Sequence, residues 1–196
     1  MDTDRHVDLD WNEELVTQLE WHWDRQLRPR LDGLTDAEYF WEPVPGCWSI
    51  RRRVEATAPL AMGAGELVMD FAMPAPQPEP VTTIAWRLAH ITMGVLAWRN
   101  ASHFGGPPVD WGSWEYAGTA ADALRQLDEQ HAAWIKGVRG LGATQLAHPV
   151  GQAEGPFAES PMATLVLHIH REVIHHGAEI SLLRDLYQWK GDQDGL

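Results

Sequence analysis

Glu172 and His176 stand four residues apart in the stretch from Ser160 to Trp189, SPMATLVLHIHREVIHHGAEISLLRDLYQW, and they are the chain's clearest chemical signal. Spacing of i, i+4 sets two side chains one above the other on a helix, so a carboxylate oxygen and an imidazole nitrogen can grip one cation. With each residue advanced about 100°, Leu165, Ile169, Ile180, Leu183 and Tyr187 fall on one stripe, with Glu172 and His176 in its middle. Such groups on an apolar face are costly unless they are paired, hydrogen-bonded or bound to a metal. His168 and His175 fall toward the edge of the stripe and His170 points away from it, which makes these three weaker candidates. The plain alternative is a hydrogen bond between Glu172 and His176, or ordinary helix pairing, with no ion. A third donor on another helix would favour the ion.

The elements that must position these groups are helices. The last one opens with Ser160 as a cap and Pro161 at the first helical position, where its missing N–H is harmless. A first helix spans Trp11 to about Leu31, with Leu15, Leu19, Trp23 and Leu27 at helical spacing and Pro29 and Gly33 marking its end. Thr35 to Glu38 is a capping-box pattern opening a short helical turn. A second long helix, Thr83 to Phe104, is apolar on nearly all sides, and His90 lies within one of its faces. A lone histidine there is more often a satisfied core residue than a ligand. A third helix runs from Thr119 to about Val138 and ends at Gly140 and Gly142. Between the first and second, residues 46–81 are irregular: Trp48 to Val54 suits an extended piece, Glu66 to Ala72 one or two helical turns, and Pro74 to Pro80 a proline-rich linker. The loop from Gly105 to Gly118 carries Trp111, Trp114 and Tyr116, which line a ligand mouth or pack over the core. Four helices of about twenty residues with no alternating strand pattern predict an all-α fold, a four-helix bundle with long loops, as one domain over residues 1–196 with the excursion at about 46–81.

Composition sets bounds. A net charge of -13 argues against a nucleic-acid partner, since phosphate binding needs a basic face and the one basic cluster is Arg51 to Arg53. Cys47 is the single cysteine, which excludes an intrachain disulfide and a cysteine zinc cluster. No apolar run approaches the roughly 20 residues of a membrane span, and the acidic start lacks a signal core, so a cytoplasmic location is expected. The eleven tryptophans include enough at the surface to suit a homodimer.

Three motifs in order resemble a known family. Gly33-Leu34-Thr35-Asp36 through Trp41-x-Pro43-x-x-Gly46-x-x-Ser49-Ile50, then Leu88-Ala89-His90, then Glu172-x-x-x-His176 followed by Leu182-Leu183-Arg184-Asp185, are similar to segments of the DinB-like superfamily of metal-binding four-helix bundles. Within it they resemble the branch that includes mycothiol-dependent maleylpyruvate isomerase. The resemblance implies that His90, Glu172 and His176 bind a divalent ion, with Glu179 a fourth ligand or, with His168, a group behind the ligands. Two nitrogens and one carboxylate suit catalytic zinc, and nickel, manganese or iron also fit.

An open cation can lower the pKa of a water or thiol near neutral pH. No residue of the chain has the setting of a protein nucleophile or other catalytic group, and in relatives the thiol is mycothiol or another low-molecular-weight thiol. The resemblance therefore implies a metal-dependent thiol S-transferase or isomerase acting on a small-molecule substrate. The alternative is a non-catalytic metal-binding or stress-related bundle, and a third reading has no metal. Few lysines beside many arginines and alanines suit a high-GC bacterial source, which favours mycothiol.

Overall fold

The four long helices form where the apolar periodicity places them; the computed structural model describes residues 9–193. Helix α1 covers residues 11–30, capped by the Asp10 side chain, which accepts from the backbone N–H groups of Asn12 and Glu13. Trp23–Leu27 within it is a π-helical turn, in which the Arg28 N–H reaches back to the Trp23 carbonyl. The shift in register falls just before Pro29, which has no N–H to give. Helix α2 is the single turn Asp36–Tyr39, opened by the expected Thr35 and Glu38 capping box. Helix α3 covers residues 84–103, capped by Thr83, and its middle, His90–Ala97, is π-helical. Helix α4, Ala120–Arg139, is capped by Thr119. A short α5, Ala143–Ala147, interrupts the loop before helix α6, Met162–Gln193. Helix α6 starts later than the serine cap predicts: Pro161 forms a bridge with Pro149, and its own carbonyl takes the first helical N–H bonds.

Helix α6 packs against α1 and α3, and α4 packs against the same two helices. The apolar faces meet in a core that includes Leu19, Leu88, Leu96, Leu127, Trp134, Ile169 and Val173, all fully buried. No helix among the described residues is long and apolar enough to cross a membrane.

The excursion at 46–81 departs from the all-α expectation. It holds a three-stranded antiparallel sheet of β1 Ile50–Arg52, β2 Leu60–Met62 and β3 Leu67–Phe71, with β3 in the centre pairing Met69 to Ile50 on one side and to Met62 on the other. The helical turns expected over Glu66 to Ala72 are therefore a strand. Val68, Met69 and Asp70 are buried in succession, so β3 shows no alternation to read. Asp70, 1% exposed, accepts from Arg51 Nε at 2.7 Å and from the Ser49 N–H at 3.0 Å, while its backbone carbonyl takes the Trp86 indole N–H at 2.8 Å. The sheet is thereby fastened to the first turn of α3.

Arg184 of α6 performs the matching task for the α1–α2 connection. Its guanidinium pairs with Glu38 at 3.1 Å and donates to the carbonyls of Arg30 and Asp32, with the side chains only 10% and 6% exposed. Removing one partner of a buried pair leaves the other uncompensated, so Arg184→Met should cost about 3–5 kcal/mol, measured by urea unfolding.

His131 of α4 lies face to face with Trp23 of α1, with ring centroids 3.6 Å apart, and burial pushes its pKa down to about 4. The unfolded chain takes up that proton at its ordinary 6.5 and the folded chain at about 4, so between the two the unfolded state binds more protons. The expected outcome is a contribution from His131 that is complete above pH 6.5 and is lost as pH falls toward 4, about 3 kcal/mol from this residue, beside the losses from the other buried histidines, His90 and His170. Urea titrations across that range with chelator present measure the slope, and His131→Leu should make it shallower by that share.

Candidate metal centre

His90 is the first residue of the π-helical segment of α3, and Glu172 and His176 sit one turn apart on α6, which packs against it. The three offer donor atoms that all lie within 4.8 Å of one another. His176 Nε2 is 3.3 Å from Glu172 Oε2, close to the about 3.4 Å between two ligand atoms of a tetrahedral zinc site. The His90 and His176 rings meet edge to face, with centroids 4.8 Å apart and an angle of 88°.

Local packing fixes the His90 ring. It stacks on Trp86 at 5.3 Å, and Trp86 is itself held by its bond to Asp70 on β3. One turn along α3, Gly94 lies under the Trp111 ring, where an added Cβ would come within 2.5 Å of the indole. Trp111 in turn stacks on Phe71 at the end of β3. Burial pushes the His90 pKa down to about 3, with further lowering from His176, Arg87 and Arg99, so the imidazole is neutral at pH 7 and its lone pair is free to bind.

His176 is oriented from behind. Its Nδ1 meets Glu179 Oε2 at 2.6 Å, and Arg87 Nε of α3 lies 3.0 Å from the same oxygen. With Nδ1–H donating to Glu179, Nε2 carries the lone pair and faces Glu172. Glu179 thus stands behind His176 rather than beside the other donors. His168 Nδ1 accepts from Arg171 Nη2 at 2.7 Å and lies 3.4 Å from Glu172 Oε1, so it borders the carboxylate on the side away from His176. Burial holds the His168 imidazole below its ordinary pKa. His175, His176 and Glu179 form a second close group, but His175 is exposed and the Arg87 guanidinium already occupies Glu179.

The geometry corrects the apolar stripe read for α6. Its most buried line runs through Val166, Val173 and Ile180, each 0% exposed, and Glu172 and His176 flank that line with side chains 24% and 11% exposed. His170, expected to point away, is 2% exposed inside the core. Helix α6 is packed on two neighbours, so its apolar arc is wider than one stripe. Arg87, Trp86 and Gly94 were not singled out by sequence reasoning. Arg87 alone carries a signal, as the one charge in the apolar run from Ile84 to Trp98, one turn before His90.

Replacing Glu179 by Gln or Ala should weaken divalent-cation binding about 10–100-fold through loss of His176 orientation, read by competition with a chromophoric chelator, while the helical circular dichroism stays unchanged.

No curated protein and no solved structure matches the chain. The description of one family, the DinB superfamily, matches residues 18–180, a span that includes His90, Glu172, His176 and Glu179. With most of its length matched, the chain belongs to the DinB superfamily.

Proposed function

We propose that the chain is a divalent-metal-dependent enzyme of the DinB superfamily, a low-molecular-weight-thiol S-transferase or isomerase related to the branch of mycothiol-dependent maleylpyruvate isomerase. In this reading residues 1–196 form one four-helix-bundle domain with the sheet as an excursion. The observation that carries it is the setting of His176. Its Nδ1 is taken by Glu179, so Nε2 is aimed at Glu172 with the neutral His90 ring across from it.

His90, Glu172 and His176 bind the ion; zinc suits two nitrogens and a carboxylate, and nickel, manganese or iron suit them too. Glu179 is engaged by His176 and Arg87, and His168 by Arg171 and the other oxygen of Glu172, which supports a reading with coordination positions left for a water or substrate, as catalytic sites have. When bound there, a divalent cation supplies Lewis acidity that lowers the pKa of a water or thiol. Arg87 holds Glu179, and Glu179 holds the His176 proton at Nδ1. Trp86 stacks on His90 and Trp111 lies over Gly94 one turn along, which fixes the ring in place. The chain brings no nucleophile of its own: Cys47 is buried, its thiol donates to the Val44 carbonyl, and burial raises its pKa. A thiol nucleophile must then come from a small molecule such as mycothiol.

The test is elemental analysis of the native protein beside the double variant His90→Ala, His176→Ala, followed by thiol-dependent turnover of electrophiles. Near-stoichiometric metal that disappears in the variant, with turnover that needs both metal and thiol, is the expected result. Metal without any thiol-dependent turnover would leave a non-catalytic metal-binding bundle, and no metal after reconstitution would reduce Glu172 and His176 to a core pair.

A further inference from the structure

A cavity of about 390 Å³ lies where the first turns of α6 meet the loop that precedes it, bordered by Glu154, Phe157, Leu165, Leu167, His168 and Arg171. Its volume falls within the roughly 300–1,000 Å³ of small-molecule sites. Two large apolar side chains stand open to solvent at its edge, Phe157 at 69% exposed and Leu167 at 53%, while Leu165 below them is buried. Apolar surface left in water beside a concavity is what a ligand with an apolar body would cover.

The charges around it are unequal. Glu154, with a side chain 7% exposed, is consumed from behind by His103 Nε2 at 2.9 Å and Arg99 Nη2 at 3.2 Å. Arg171 is on the open side, with a side chain 69% exposed; it donates to His168 and lies 3.8 Å from Glu172. The loop is therefore pinned by an internally neutralised cluster, and one guanidinium is left at the mouth. His168 forms the partition: it lines the cavity and stands 3.4 Å from Glu172.

We propose that this cavity binds a small organic carboxylate with an apolar body, the body covering Phe157, Leu165 and Leu167 and the carboxylate pairing with Arg171. The inference rests on the proposed metal centre only for the further point that the ligand is the substrate, since Arg171 and His168, which border the cavity, also stand beside Glu172. Arg171 forms two parallel N–H···O bonds to a carboxylate, a geometry an alcohol or amide cannot match.

The probes are 3-phenylpropionate and its alcohol, 3-phenylpropan-1-ol, titrated into the zinc-loaded and the metal-free protein by calorimetry, with metal counted per chain in each sample. The expected result is carboxylate binding about 10-fold or more tighter than alcohol binding, a preference that Arg171→Gln abolishes without loss of metal or helicity. Thr164→Trp, which fills the cavity, should weaken both probes, and amide NMR shifts confined to residues 150–171 keep the result readable if that variant folds poorly. Equal affinities for the two probes, an Arg171→Gln variant that keeps the preference, or no saturable binding at millimolar probe would overturn the inference. Failure here with metal still bound sinks the carboxylate site alone, and carboxylate binding in a protein that takes up no metal sinks the proposed metal centre alone.

Discussion

One carboxylate oxygen holds the centre of this molecule together. Glu179 Oε2 accepts from His176 Nδ1 at 2.6 Å and from Arg87 Nε at 3.0 Å, which ties α6 to α3 through a charge-assisted chain in a partly buried seam. Each member satisfies another whose burial alone would be costly. Desolvation lowers the Arg87 pKa, and the Glu179 charge opposes that lowering, so the guanidinium stays charged where water is scarce. The same bond sets the face of His176 that is free for chemistry. Helix packing and the orientation of the His176 ring thus share one interaction.

The parts legible in the sequence were those with a local signature. Proline and glycine stops and apolar periods of three and four placed the first three long helices within a residue or two, and the last within about four. Glu172 and His176 were legible because i, i+4 spacing is a local fact, and His90 only through its neighbours Leu88 and Ala89. Long-range placement was not legible. Nothing near Arg87 in the chain announces a bond to Glu179, and the strand at Leu67–Phe71 is too short and too buried to alternate. His170 was misplaced because a helix packed on two neighbours buries more than one stripe.

The sheet gives the excursion a physical role that its composition hides. Asp70 carries three bonds at once, to Arg51, to the Ser49 N–H and, through its carbonyl, to Trp86. Trp86 lies under His90, so the ring angle of a candidate ligand is set from a strand outside the long helices.

The π-helical middle of α3 acts as a phase adjuster. Eight residues wound at i to i+5 give His90–Ala97 a smaller advance per residue than an α-helix, so the two ends of α3 face directions that a uniform helix could not combine. Before it and at its first residue, Arg87 and His90 address α6; beyond it, Arg99 and His103 address Glu154 in the loop ahead of α6, and Arg99 also donates to the Gly94 carbonyl within the wide turns. Rewinding the same eight residues as an α-helix, at about 100° per residue, would turn one set of contacts past the other. The length of this segment is therefore under tighter geometric control than its permissive, wholly apolar composition suggests.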